Sequence, residues 1–172
     1  MKHRSAKTRA HQPTTTYTLM HKLMASPTAP MPQARRNQQL LQMWNGLASI
    51  EKGETPSHND WRVCSDAVNL LETLVTSGAL ADTNGLLPDA VAALANAAMR
   101  HTQTGAAIRL NGPGIQTVRA VLEDYAAALE MLPERTIIEA HRATEQRIRA
   151  IHQGRGQAHD VEVVALRSKT ST

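Results

Sequence analysis

The chain has 172 residues, 41% of them hydrophobic, a net charge of +4 and one cysteine, Cys64. This length allows one domain with a substantial core, and a lone cysteine excludes an intramolecular disulfide and every multi-cysteine zinc site. It fits a reducing cytoplasm, and with no run of about 18 apolar residues a membrane span is not expected.

The aromatics are Tyr17, Trp44, Trp61 and Tyr125, with no Phe. A core built from Ala, Leu, Ile, Val and Met favours helix packing over strands. So few aromatics also argue against a stacking platform for single-stranded nucleic acid. Charge is uneven along the chain. The first acidic residue is Glu51, and before it stand Lys2, Arg4, Lys7, Arg9, Lys22, Arg35 and Arg36, a block of +7. The rest of the chain is −3. These seven residues are the candidate nucleic-acid contacts, acting on phosphates without sequence preference through counterion release.

Residues 1–32 read as a disordered basic arm followed by a Pro-rich linker. The first residues are basic but lack an apolar h-region, so a secretory signal is not expected. Pro13, Pro27, Pro30 and Pro32 break any long amphipathic transit helix. Within the arm, "TLMHKLM" (18–24) has the makings of a short helix that forms on docking, and "ASPTAPMPQ" reads as linker.

Five helices are predicted over 33–153. The first, 33–52, places Leu40, Met43, Trp44, Leu47 and Ile50 on one face, with Gln38, Gln39, Gln42, Asn45 and Ser49 opposite. The second, 57–77, opens with Ser57 and Asp60 as a capping box. Its stripe is Trp61, Cys64, Val68, Leu71 and Val75. Cys64 reads as a buried small residue, because a reactive thiol needs a basic neighbour to lower its pKa. The third, 88–103, opens with Pro88 and Asp89 and has a small-residue face. "AAIRL" (106–110) has extended character. The fourth, 114–132, carries Ile115, Val118, Val121, Leu122, Tyr125, Leu129 and Leu132. Pro133 then begins the fifth, 133–153, whose short connection predicts an antiparallel hairpin. The expected fold is all-α, an antiparallel bundle of about five helices, followed by a tail over 154–172. "DVEVVALR" (160–167) has some strand character.

In the last helix Ile137, His141, Thr144, Ile148 and Ile151 recur at spacings of 4, 3, 4 and 3, a seam facing another helix. His141 and Thr144 form its polar part. Glu145 lies off this seam in a charged ladder with Arg142 and Arg149. No HExxH or Glu-x-x-His pattern supports a metal. His152 stands roughly 16 Å from His141 along the axis, too far to share an ion. Glu123, Asp124 and Glu130 read as a solvated face. No phosphate-cradling glycine loop is present, and a recognition helix over 88–103 would have only Arg100 and His101, at its far end. No catalytic residue, metal ligand or cofactor site is expected.

"DWRVCSDAVNLLETLV" (60–75) and "YAAALEMLPERTIIEAHRATEQRI" (125–148) resemble small helical proteins of proteobacterial prophages and mobile elements. The shared features are a Trp-led second helix and a Leu-Pro-Glu junction before a basic-acidic final helix, over about residues 37–152. The resemblance implies an accessory role in a mobile element (regulation, assembly or host interference) and transfers no activity. Function is therefore expected to be non-enzymatic: binding of a protein partner or a second copy through a helical face. The alternatives are nucleic-acid association through the arm and a metal-binding or enzymatic bundle at His141 and Glu145.

Overall fold

The computed structural model describes residues 17–155, and among them the chain forms six helices and no strand. They are α1 (Leu19–Met24), α2 (Gln33–Lys52), α3 (His58–Thr76), α4 (Leu87–Thr104), α5 (Gly112–Met131) and α6 (Glu134–His152). The fold is all-α, and helices α2 to α6 are the five predicted from residue 33 onward.

Local chemistry sets the helix ends. The Ser57 hydroxyl accepts from the Asp60 N–H at 3.2 Å, and the Asp60 carboxylate accepts from the Ser57 N–H at 2.7 Å. The capping box therefore works with Asp in place of Glu. Burial raises the Asp60 pKa, but hydrogen bonds from Ser57 and Ser49 outweigh it, and the carboxyl sits below its ordinary value. Asn111 caps α5 by accepting from Gly114 at 2.8 Å, so the helix begins at Gly112, two residues earlier than the apolar pattern suggests. Gly105 ends α4 at φ +68°, a left-handed conformation that an L side chain rarely adopts. Residues 106–110 pair with no strand, but Ile108 is buried and anchors this connection to the core. Arg109 donates to the carbonyls of Ile50, Gly53 and Glu54. It thereby satisfies acceptors that the end of α2 leaves without helical partners.

Helix α3 is the centre of the assembly, in contact with α2, α4, α5 and α6. Cys64, Val68, Leu70 and Leu74 are almost wholly buried. The Trp61 indole N–H donates to the Leu94 carbonyl at 3.0 Å, joining α3 to α4 inside the core. Arg147–Glu72 joins α6 to α3, and Arg119–Glu51 joins α5 to α2, each at 2.8 Å. Such half-exposed pairs contribute roughly 1 kcal/mol or less. The packing therefore rests mainly on apolar burial.

The principal departure from expectation is in residues 17–32. This segment is not a free arm and linker: Tyr17, Ala25 and Met31 are buried in the core, and "TLMHKLM" contains α1. The cause lies at the start of α6. Pro133 is its N-cap and not its first helical residue, and it offers no side chain to cap the helix. The unpaired N–H groups of Glu134 and Arg135 instead donate to the Ala29 and Ser26 carbonyls, at 2.9 and 3.1 Å. The Arg135 guanidinium adds a bond to the Ala25 carbonyl at 3.1 Å. A Pro-rich segment lacks donors but keeps its carbonyls, and here these complete another helix. Lys2, Arg4, Lys7 and Arg9, and the expected strand character at 160–167, lie outside the described residues.

Gly46 marks the closest approach of α2 to α3. A Cβ built there would lie 2.7 Å from the Asp60 carbonyl oxygen and would also clash with Val63 Cγ2. Gly46→Ala should therefore destabilise by about 1–3 kcal/mol, despite a helix-propensity gain of about 1 kcal/mol. Urea unfolding of the two proteins checks this; a stabilised variant would show that the crossing is loose.

Candidate functional site

Helices α2, α3, α5 and α6 line a half-open cavity of about 100 Å³. Met43, Val63, Ala67, Leu70 and Ile148 supply its apolar wall, and Gln39, Asp66, His141, Thr144 and Glu145 are among its polar residues. Tyr17 reaches the same region. Its ring lies 4.9 Å from that of His141, centroid to centroid, and its hydroxyl accepts from Gln39 Nε2 at 3.0 Å.

Helix α6 brings three polar side chains to this cavity. His141 is half-buried, and its Nε2 is shielded from solvent with no hydrogen-bond partner. Burial lowers its pKa to about 4, so the ring is neutral at pH 7. Thr144 is buried and fully engaged, at 2.6 Å from the Thr73 hydroxyl across to α3 and donating to the Ala140 carbonyl at 2.9 Å. Glu145 presents one oxygen to Arg149 at 3.5 Å, while its other oxygen, Oε1, is buried without a partner. Burial raises the Glu145 pKa, against the lowering effect of Arg149 and Arg142.

The separation of His141 from Glu145 needs correction, because both line one cavity. Residue i+4 is rotated only about 40° from residue i on an α-helix, so positions 141, 144, 145 and 148 share one face. A seam drawn at a spacing of 3.5 residues is too narrow to include Glu145. Gln39, expected on the face of its helix opposite the apolar stripe, also lines this cavity. The packed 17–32 segment carries Tyr17 over that side, and Gln39 becomes part of the wall. Only the presence of a tyrosine in a basic, otherwise apolar-poor stretch hinted at this.

Of the candidate phosphate-binding residues, Lys22, Arg35 and Arg36 fall within the described residues. Lys22 pairs with Glu139 at 2.9 Å and Arg35 with Glu134 at 2.5 Å. Arg36 is half-buried, and its Nε lacks a partner. Cys64 is buried, and desolvation pushes its thiol up to about 12, which leaves it unreactive. Among the described residues, no group of three His, Cys, Asp or Glu side chains is arranged to hold a metal ion. No helix there is long and apolar enough to cross a membrane.

Comparison with known protein families, characterised proteins and solved structures gives no match.

The lowered His141 pKa has a defined effect on stability. Below pH 6.5 the unfolded chain takes up a proton at this residue that the folded chain refuses until about pH 4. The contribution is therefore complete above pH 6.5 and is lost as pH falls toward 4, at up to about 1.4 kcal/mol per pH unit. Glu145, with a raised pKa, acts oppositely: its contribution is present below its unfolded value and is lost as pH rises through the folded one. The comparison must therefore be differential. Denaturant unfolding of wild type and His141→Gln from pH 7.5 to 4.5 should give a steeper acid loss in wild type. Parallel curves would mean that His141 titrates alike in the folded and unfolded chains.

Proposed function

We propose that this chain forms an antiparallel helical bundle that acts without enzymatic chemistry and docks a protein partner on the apolar face of α1. The supporting observation is the exposure of that helix. Leu19, Met20, Leu23 and Met24 are 56%, 61%, 63% and 79% exposed, so four of its six residues are large apolar side chains in water. A six-residue helix is marginal alone. This one is held by a Thr18–His21 capping box and by the Lys22–Glu139 ion pair, which leave its apolar side outward.

Contiguous apolar exposure of this kind marks an interaction surface more often than a neutral one. Methionines suit it, because an unbranched thioether adapts to an irregular partner surface. Met131, 66% exposed and two residues before Pro133, adds a further apolar side chain near the corner where Pro30 meets Pro133. The reading agrees with the accessory role in a mobile element that the resemblance implies. A cytoplasmic setting suits the single buried thiol.

The test is Leu23→Gln combined with Met24→Gln. Both side chains are exposed, so stability should change by no more than about 0.5 kcal/mol. Affinity for a partner captured by photocrosslinking from α1 should fall by at least about tenfold. Unchanged binding would discard the α1 face. Self-association seen by sedimentation and abolished by the double variant would make the partner a second copy of this chain.

A second reading rests on the +7 block before Glu51. With Lys22 and Arg35 already paired, phosphate contact would fall on Lys2, Arg4, Lys7, Arg9 and Arg36. Removal of residues 1–16 should then weaken duplex binding at low salt and flatten its salt dependence. Identical binding by the truncated chain would eliminate this alternative.

A further inference from the structure

We propose that Asn84 is a site of spontaneous deamidation, the one Asn–Gly step of three that the fold leaves free to react. The steps are Asn45–Gly46, Asn84–Gly85 and Asn111–Gly112. In each, the glycine has no side chain to obstruct attack by its backbone nitrogen on the asparagine Cγ. The sequence therefore treats the three alike, and the fold decides where the two atoms can meet.

Two of the steps are held. Asn45 and Gly46 lie inside α2, where the Gly46 N–H belongs to the helical ladder and the Gly46 Cα is pressed against Asp60 and Val63 of α3. Asn111 is the N-cap of α5. Its Oδ1 accepts from the Gly114 N–H at 2.8 Å, so its carboxamide is engaged there and reaction would forfeit the cap.

Asn84 stands in the connection between α3 and α4, where residues 81–85 are all exposed. Gly85 has φ +64° and open space around its Cα, so closure of a ring at this step meets no neighbour. Asp82 Oδ1 accepts from the Gly85 N–H at 3.1 Å, beside the nitrogen that must give up its proton. The Asn84 carboxamide is tied through Nδ2 to Asp124 Oδ2 on α5 at 3.2 Å, an exposed bond and therefore a weak restraint.

The reaction proceeds in two steps. The Gly85 nitrogen bonds to Asn84 Cγ, the Cγ–Nδ2 bond breaks, and Nδ2 leaves as ammonia with the proton given up by Gly85. Water then adds to either carbonyl of the succinimide. The ring opens to an aspartate, or to an isoaspartate whose main chain runs through the former side-chain carbonyl. Both products exchange an amide donor for a carboxylate. The tie from the α3–α4 connection to α5 is lost, and a second negative charge adjoins Asp124.

The full chain is held in mildly alkaline buffer, folded and in urea, and the peptides carrying the three steps are followed by mass spectrometry. In urea they should convert at similar rates. In the folded chain Asn84 should convert at least about tenfold faster than Asn45 or Asn111. Asn84→Gln, which must close a larger ring, should abolish the fast conversion. In Asn84→Asp the amides of residues 82–86 should exchange with deuterium about two- to fivefold faster than in wild type, the factor for one weak hydrogen bond. Similar rates at all three steps in the folded chain would overturn the proposal, as would an Asn84 no faster than Asn45. Unchanged exchange in Asn84→Asp would overturn the loss of the tie to α5.

Discussion

Helix α3 must be buried on almost every side, and the rest of the structure depends on how that is achieved. It touches all four of the other long helices, so its side chains set their spacing. Where α2 crosses, Gly46 brings the two backbones together. Where α4 crosses, Trp61 hydrogen-bonds into the opposing helix. A helix buried in this way needs its polar side chains satisfied from within. Ser65 donates back to the Trp61 carbonyl, and Thr73 donates to Thr144 on α6, which donates in turn to the Ala140 carbonyl. The Thr73–Thr144 contact pairs two hydroxyls that would otherwise interrupt an apolar interface, and it sets α6 in register on α3.

The same need for satisfaction explains the N-terminal segment. Helix α6 begins at a proline with no cap of its own, and backbone carbonyls of residues 26 and 29 take that role. Once held there, the segment buries Met31 and Ala25 and lays Tyr17 against His141. One stretch of chain thus does two things. It sets Tyr17 against His141 and Gln39, and it turns the apolar side chains of α1 toward solvent.

On α3 the buried hydroxyls find carbonyls or each other, whereas Gln39 Oε1, His141 Nε2, Glu145 Oε1 and, on α3 itself, Asn69 Oδ1 are buried with no hydrogen-bond partner. The burial that keeps His141 neutral also raises the Glu145 pKa, against the lowering effect of Arg149 and Arg142. Sites that break local rules of satisfaction are where function is most economically sought.

The chain by itself determined where the long helices lie. Ser57 with Asp60 acts on backbone groups within about four residues and can be read without knowledge of the fold, whereas the Asn111 cap starts α5 two residues before its apolar pattern and Pro133 proves to be the N-cap of α6 and not its first residue. The apolar stripes of α2, α3 and α5 were legible for the same reason, as was the burial of Cys64. What surrounds His141 was not. Tyr17, Gln39, Asp66 and His141 lie on separate elements, and no spacing relates them. Only the tertiary structure decided that residues 17–32 dock, because the carbonyls of Ser26 and Ala29 are wanted by a helix start more than a hundred positions away. It also decided that Glu145 joins His141, because helix packing uses a broader face than an idealised seam. Capping is local and therefore readable; enclosure depends on which distant surfaces meet.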